Sequence, residues 1–338
     1  MKVGILALVL ASGPTWATVA QGQSTADPSK STKRLKMASL VTADSALGAA
    51  MENIGNDAQK AGFEVSKDYS ISTIPGTKGK GELAMMQAVS KGLYDLIFLT
   101  DGPCANIAPA CAMFSIPYLF NDQEHATKVA DNSAIIDHIS KDFSKENMKL
   151  LAIYENGWRH VFSPVETVKS PDQLKDKKFR TMQSPIYLSF VNALGAKPNP
   201  TAWNDVYEVT KAKVVYAIEA PMTAFYESKL HETNKYVTLN HHVYSVFYAI
   251  VNKDYFEKLS KADQDVLQKT IWDNRVEQRR RNQEKEKIVM NSLEKTKGVV
   301  IYKPSPQEME KFRQAGAKVR EENAAILPSK IAEIISAK

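Results

Sequence analysis

Two arginines, Arg159 and Arg180, could bind an anionic group. Arg159 lies on a predicted strand just after Asn156-Gly157, and Arg180 lies in a second predicted strand, 178–181. A planar guanidinium can donate two parallel hydrogen bonds to one carboxylate, which the ammonium group of lysine cannot do. The two positions therefore indicate a carboxylate-binding site, although a place on the protein surface is the commoner role for an arginine.

Other residue types that carry chemistry lack the spacing that their chemistry needs. His241 and His242 are neighbours on a predicted strand, so their side chains point to opposite faces and cannot share one metal ion. None of the six histidines has the spacing of zinc ligands. There is no Gly-x-Ser-x-Gly motif, and the glycine-rich segment 76–81 lacks the Gly-Lys-Ser/Thr ending of a phosphate-binding loop. We therefore expect no catalytic residues, no metal and no cofactor.

Charge does not indicate a nucleic-acid partner. The arginines between 275 and 281 alternate with Glu277, Glu284 and Glu286 on one predicted helix, which is typical of a solvated face. The formal net charge of +6 is mild and favours anionic small molecules only slightly over cations.

The first 20 residues have the pattern of a signal peptide. Lys2 gives a positive start, and the apolar run 3–10 is too short to span a bilayer. Small residues at Thr18 and Ala20 place cleavage after Ala20, with Ala17 as the alternative. The next segment, 21–32, is almost entirely polar and is predicted to be a disordered leader.

Two cysteines, Cys104 and Cys111, lie seven residues apart in this exported chain. An even number of cysteines in an oxidising compartment usually indicates a disulfide, which is the pairing we expect. Two buried thiols in a compact loop are the alternative, because spacing does not fix the geometry that a disulfide requires.

The rest of the chain alternates short apolar runs with amphipathic segments. Strands are predicted at 35–41, 69–74 and 94–99, with helices at 46–61 and 82–91 between them and a further helix near 123–141. Repeated βαβ units give a mostly parallel sheet, and ligands then bind beyond the carboxyl ends of its strands. Thr100 and Asp101 follow such a strand and are therefore candidate ligand contacts.

Length and the later segments predict two lobes. About 300 mature residues exceed what one hydrophobic core usually serves. Asn156-Gly157 separates predicted strands near 148–154 and 158–163, the β-rich run 236–251 could pass between lobes, and a helix is predicted over 260–296. We assign residues 33–156 plus about 245–285 to lobe I and residues 157–244 plus about 286–338 to lobe II.

Several segments together resemble one known family. Each is weak alone, but their order and spacing are specific, and they span nearly all of the mature chain: 91–95 (KGLYD), 114–120 (FSIPYLF), Arg180, 194–207 (LGAKPNPTAWNDVY), 215–221, 240–241 and 251–253. The chain resembles the DctP-type solute-binding proteins of tripartite ATP-independent periplasmic (TRAP) transporters. The resemblance implies a periplasmic clamshell of two α/β lobes, with hinge-crossing strands and a long hinge-spanning helix, and no enzymatic activity.

The resemblance also assigns roles in the cleft. The arginine matching Arg180 forms the main salt bridge to the ligand carboxylate, and Arg159 matches a second basic contact found in some members. The family usually has an asparagine where this chain has Ala220, which has no side-chain donor. Water or another donor would then replace it, or the ligand would be held differently.

Four aromatic residues are placed at or near the pocket by the same resemblance: Trp158, Trp203, Tyr244 and Tyr216. The alternative is that these rings pack inside the lobes. Large apolar walls favour a monocarboxylate with an aromatic or branched body over a small polar dicarboxylate.

The expected function is therefore a TRAP receptor whose partners are a small organic acid and the membrane subunits of the transporter. One alternative is the periplasmic binding protein of an ATP-driven (ABC-type) importer. Another is a secreted hydrolase or lyase that uses Asp101, Glu219 or a histidine as its base.

Overall fold

The computed structural model describes residues 33–337, so the predicted signal peptide (1–20) and leader (21–32) lie outside the described residues. The strands of this part are β1 (Lys33–Ser39), β2 (Phe63–Asp68), β3 (Leu96–Thr100), β4 (Met148–Ser163), β5 (Lys178–Thr181), β6 (Lys197–Pro200), β7 (Ala217–Pro221), β8 (Tyr236–Asn252) and β9 (Val300–Tyr302). Its helices are α1 (Ala46–Lys60), α2 (Glu82–Ser90), α3 (Asp101–Cys104), α4 (Gln123–Ala130), α5 (Ser133–Lys145), α6 (Pro185–Ala193), α7 (Val206–Lys211), α8 (Met222–Glu227), α9 (Lys253–Lys258), α10 (Lys261–Lys295), α11 (Pro306–Glu322) and α12 (Ser329–Ser336).

The described strands form one mixed sheet with two halves. The strand order is β2-β1-β3-β8-β4-β7-β5-β6, and β9 pairs with β8. Strands β1, β2 and β3 are parallel to one another, as are β5, β6 and β7. The two longest strands, β4 and β8, lie antiparallel between the halves and connect them.

The β4–β8 pair is continuous but irregular. It extends from Met148 opposite Asn252 to Ser163 opposite Tyr236, with three register shifts. The predicted turn at Asn156-Gly157 is wrong, because one of these shifts lies between Glu155 and Gly157 and the strand continues through it. Gly157 has φ +107°, which glycine adopts without a steric penalty, so the pair forms a bulge that bends the strand instead of ending it.

The predicted long helix is confirmed as α10, which is capped by the Ser260 side chain. Its first half buries Leu267 and Ile271 against the β1–β3 half of the sheet. Its second half buries Val289 and Leu293 against the β7 side. The helix therefore spans both halves of the molecule. No helix within residues 33–337 has the length and apolar composition needed to cross a bilayer.

Two predicted elements are wrong in position or length. The strand expected at 69–74 is β2, at Phe63–Asp68, because the turn after α1 is tight: Gly62 has φ +89° and the chain enters the strand at once. The helix expected near 123–141 is two helices, α4 and α5, because the Asn132 side chain accepts a hydrogen bond from Ala134 N and starts a new helix.

Cys104 and Cys111 are thiols in the structure and their side chains contact each other, and the disulfide that the sequence favours stays a prediction. Cys104 ends α3 and Cys111 lies in the 3-10 turn that follows; both are fully buried in the core. Burial raises the pKa of both thiols. Two side chains that contact each other within one compact segment fit either a disulfide or a pair of packed thiols.

Candidate functional site

A cavity of about 80 Å³ lies beyond the carboxyl ends of the strands, where the two halves of the sheet meet. One water needs about 10–15 Å³ of such space, so the cavity can hold several waters or a small molecule. Its lining comes from the ends of β1, β3, β5, β6 and β7, from β4 and from α10, and includes Leu40, Thr100, Met182, Thr201, Pro221, Asn156 and Gln278. This is where ligands bind in open α/β sheets.

Arg180 on β5 is the arginine in this lining that lacks a charged partner. It is 1% exposed, its Nη2 donates to the Thr201 carbonyl oxygen at 2.7 Å, and its Nε and Nη1 have no hydrogen-bond partner. Its guanidinium lies 5.5 Å from the centre of the Trp203 ring. Burial lowers the pKa of Arg180 to about 10, which still leaves it cationic at neutral pH. The site therefore presents a desolvated cation with two free donors.

Arg159 on β4 also lines the cavity, but it is already neutralised. It forms a fully buried ion pair with Glu219 of β7, and its Nη2 donates to the Glu219 carbonyl oxygen at 3.3 Å. Burial would raise the pKa of Glu219, but the Arg159 guanidinium and His242 outweigh it and hold that pKa well below its usual range. Between these two arginines, Arg180 is thus the one free to meet an incoming carboxylate.

A buried network fixes the position of Arg159. Its Nη1 lies 3.5 Å from Ser245 Oγ, and Ser245 donates to Asp101 Oδ1. The other oxygen of Asp101 accepts from Ser115 at 2.6 Å and from Tyr187 at 3.0 Å. Asp101 is fully buried and is not part of the cavity lining. Asp101 therefore supports Arg159 from outside the cavity lining, whereas the sequence predicted a ligand contact for it.

Glu82, at the start of α2, is an acidic group on the cavity wall. Its carboxyl accepts hydrogen bonds from the Thr100 backbone N and from Thr100 Oγ1, the latter at 2.9 Å. Burial raises the pKa of Glu82 to about 7; the Thr100 hydrogen bonds and Arg159 oppose this shift, and Asp101 adds to it. Its charge acts on Arg180 as well. Glu82 therefore changes protonation at neutral pH close to the free cation.

We expect the affinity for an anion bound at Arg180 to fall a few-fold between pH 6 and pH 8. Glu82 loses its proton in this window, and its carboxylate then opposes the bound anion. The nearby His242 is kept neutral because burial lowers its pKa, and Glu219 stays ionised throughout. Calorimetric titrations at pH 6, 7 and 8 would measure the slope.

Glu82→Gln is the matched control, because it retains an acceptor for Thr100 without the charge. The affinity of this variant for the anion should not change with pH. If it falls with pH as steeply as in wild type, a group other than Glu82 causes the pH dependence.

The pKa of Glu82 also makes the stability of the protein depend on pH. Its folded-state value lies above its unfolded value of 4.5. Between these pKa values the native state therefore binds more protons than the unfolded state. The free energy of unfolding of the wild type, compared with that of Glu82→Gln, should decrease as pH rises from about 4.5 to 7.

Four residues singled out from the sequence line the cavity together: Arg159, Arg180, Trp203 and Thr100. Thr100 ends β3, and Trp203 follows β6, a strand that the sequence did not predict. These positions agree with the expectation that strand ends carry the site.

Four other predicted contacts lie elsewhere. Trp158 is next to Arg159 on β4 and therefore points to the opposite face, where its ring meets that of Tyr244 at 5.3 Å. Tyr216 precedes β7, with its hydroxyl bonded to Glu166 at the protein surface. Ala220 is fully buried in the core beside Phe162. The aromatic wall expected from the sequence is thus largely absent from this cavity.

The sequence reasoning missed the contribution of α10. Gln278 and Asn282 line the cavity, and Gln278 exchanges two hydrogen bonds with the Glu155 backbone, at 2.7 and 3.0 Å. These two residues are one turn apart on a face that also buries Arg275 and Arg279. In the sequence, polar residues at helical spacing are typical of a solvated helix face. The neutral amides Gln278 and Asn282 within this face were the signal that it could instead be buried against a polar site.

Within the described chain, no group of three or more His, Cys, Asp or Glu side chains could hold a metal ion.

A family model described as bacterial extracellular solute-binding protein, family 7, matches residues 39–325. The chain belongs to this family. Family 7 proteins are solute-binding proteins rather than enzymes, which confirms the expected absence of catalysis.

Relatives and solved structures agree with this assignment. The 2,3-diketo-L-gulonate-binding periplasmic protein of Escherichia coli is 30% identical over 59% of this chain and 61% of its own length, less than two thirds. A TRAP periplasmic solute-binding protein from Polaromonas, bound to D-erythronate, is 26% identical with TM-score 0.81 over 90% of this chain and 99% of that one. One from Roseobacter denitrificans, with bound β-D-glucuronate, is 20% identical with TM-score 0.82 over 90% of this chain and 100% of that one. The family 7 chain thus has the two-lobed α/β clamshell fold predicted from the sequence.

Proposed function

We propose that this family 7 protein is the extracytoplasmic receptor of a TRAP transporter, exported by the signal peptide at 1–20. Its cleft binds a small organic acid through Arg180 and delivers it to the membrane permease. The observation that most directly supports this proposal is the buried guanidinium of Arg180 in the cavity lining, which has two nitrogen donors without a partner. A buried charge without a partner is costly, and a ligand carboxylate removes that cost on binding.

We propose further that the ligand is a hydroxylated acid, such as a sugar acid, rather than an aromatic or branched one. The aromatic rings in the cavity lining are Trp203 and Phe247, and aliphatic side chains such as Leu40, Leu47 and Met182 line another part of it. Hydrogen-bonding side chains contribute the remainder: Ser45, Glu82, Asn156, Gln183, Thr223, Gln278 and Asn282. Some of these groups are already bonded within the protein, as Glu82 is to Thr100 and Gln278 is to the Glu155 backbone. The polar part of the wall can still offer further hydrogen bonds to the hydroxyls of a sugar acid, which an apolar body could not use. Diketogulonate, erythronate and glucuronate of the three similar proteins belong to this class.

The family usually has an asparagine where this chain has Ala220, and other residues could replace its donor. Asn156 of β4 and Asn282 of α10 both line the cavity. Their Nδ2 atoms donate to Ser245 Oγ at 3.1 Å and to Glu155 Oε1 at 2.9 Å, and each amide carries a second N–H. We infer that one of them takes the second hydrogen bond of the ligand carboxylate.

Binding is proposed to close the predicted lobes I and II around a hinge at the Glu155–Gly157 bulge. Contacts between these lobes include an ion pair of Lys80 with Asp205 at 3.4 Å, a hydrogen bond from Asn106 Nδ2 to the Gln183 carbonyl oxygen at 2.7 Å, and one from the Tyr187 hydroxyl to Asp101 at 3.0 Å. A ligand that touches both lobes adds to these contacts in the closed state only, and this difference in affinity favours closure.

Thermal-shift assays with glucuronate, galactonate, erythronate and isovalerate test the proposal. A hydroxylated acid should raise the melting temperature, and the same acid should reduce the radius of gyration in small-angle scattering. Isovalerate, which has a carboxylate but no hydroxyls, is the matched control and should do neither. Stabilisation by isovalerate alone would favour the branched ligand and reject the hydroxylated one; a bound acid without compaction would reject hinge closure.

A further inference from the structure

A second cavity lies on the far side of the β4–β8 pair from the ligand cleft. It has a volume of about 570 Å³, within the range of small-molecule sites. Trp158 lines it, whereas its neighbour Arg159 lines the cleft, so one strand contributes to both cavities on its opposite faces. The other walls are the segment before α4, the start of β8 and one face of α11.

The cavity has aromatic walls and two free cations. Tyr118, Phe120 and His241 surround it with Trp158, whose ring centre lies 5.9 Å from that of His241. Arg313 and Arg320 of α11 lie seven residues apart and so share a helix face. Within residues 33–337, neither has a carboxylate oxygen within 4.0 Å.

Polar groups inside the wall also lie at this cavity. Asn240 is fully buried, and its Oδ1 lies 3.0 Å from His242 Nδ1. The half-buried Tyr118 lies beside the Asn240 side chain, and the Arg313 guanidinium is near enough to act on the Tyr118 hydroxyl. The rim carboxylate of Asp122 is engaged with the His125 backbone N at 2.8 Å and starts α4.

The backbone around this cavity is unusual too. Tyr118 has φ +55° and His241 has φ +44°, a left-handed conformation that is uncommon for residues other than glycine and that clusters at functional sites. Gly316 of α11 packs on the Tyr118 ring: a Cβ there would lie 2.6 Å from Tyr118 Cδ2. The absence of that Cβ lets α11 bring its arginines close to the aromatic wall.

We propose that this second cavity binds an aromatic carboxylate, with its ring against Trp158 and Tyr118 and its carboxylate on Arg313 and Arg320. The unpaired cations select an anion, and the aromatic walls select a planar ring. Of the aromatic residues that the sequence assigned to the cleft, Trp158 thus serves a different site, independent of Arg180.

Fluorine NMR of protein labelled with 5-fluorotryptophan can locate the ligand, because Trp158 and Trp203 report on different cavities. Resonances are assigned by single Trp→Phe substitutions, and the probe is benzoate. We expect benzoate to shift the Trp158 signal saturably in wild type and equally in Arg180→Ala. In Arg313→Ala/Arg320→Ala, the apparent Kd should rise about tenfold, the loss expected for two exposed charge contacts.

Two controls keep the test specific. Arg281→Ala removes an exposed arginine elsewhere and should leave the titration unchanged, and the double variant should melt at the wild-type temperature. Acetate has the carboxylate without the ring and should shift Trp158 far less than benzoate. The proposal is overturned if Trp158 does not respond, if the double variant titrates like wild type, if acetate matches benzoate, or if only Trp203 shifts.

Discussion

Arg180→Ala should weaken binding of the cleft ligand roughly 30-fold or more while leaving the protein folded. Removing one partner of a buried, hydrogen-bonded charge pair costs about 2–5 kcal/mol, and each 1.4 kcal/mol is a factor of ten in Kd. The side chain is 1% exposed and is not paired with a carboxylate in the structure, so its removal breaks no internal ion pair. Calorimetry with the acid found in the thermal-shift screen measures the loss.

Arg180→Lys separates charge from geometry. Lysine retains the positive charge but cannot form the two parallel hydrogen bonds, so its affinity should also be low. Arg281→Ala, on the exposed face of α10, is the surface control and should bind like wild type. Less than a tenfold loss in Arg180→Ala would contradict the role of Arg180 as the carboxylate anchor, whatever ligand the cleft holds.

The elements of the cleft could largely be predicted, because each depends on local sequence. Thr100 ends the strongly apolar strand β3, Arg180 lies on the short strand β5, and strand ends converge in this type of sheet. The long helix α10 has its cap and its stop in the sequence itself. These positions could be predicted because an error of one residue in the strand register still leaves them at the edge of the sheet.

The orientation of the aromatic residues could not be predicted in the same way. On β4, Trp158 and Arg159 face opposite sides, and a slip of one residue exchanges their places. Three register shifts along β4–β8 make that choice depend on where each bulge falls. The partner of Arg159 was equally hidden: Glu219 is 60 residues away and reaches it only because β7 pairs with β4.

Glu219→Ala should destabilise the protein by about 3–5 kcal/mol, because breaking a buried ion pair leaves an uncompensated charge. Arg159 would lose its partner, and the unpaired Arg180 would lose the nearby negative charge that supports its protonation. Thr181 would also lose the acceptor that it bonds at 3.1 Å. A drop of roughly 10 °C in melting temperature is expected for a domain of this size.

Substitution and pH together distinguish loss of charge from loss of packing. Glu219→Gln retains an acceptor for Thr181 and nearly the same volume, so its stability should lie between those of wild type and Glu219→Ala. Glu277→Ala, on the exposed face of α10, is the surface control and should change the stability little. Because the folded-state pKa of Glu219 lies below its unfolded value of 4.5, its contribution is complete above that pH and is lost as pH falls below it. The stability gap between wild type and Glu219→Gln should therefore narrow in acid. A gap that is constant from pH 7 to pH 3 would mean that packing, not the ion pair with Arg159, sets the stability.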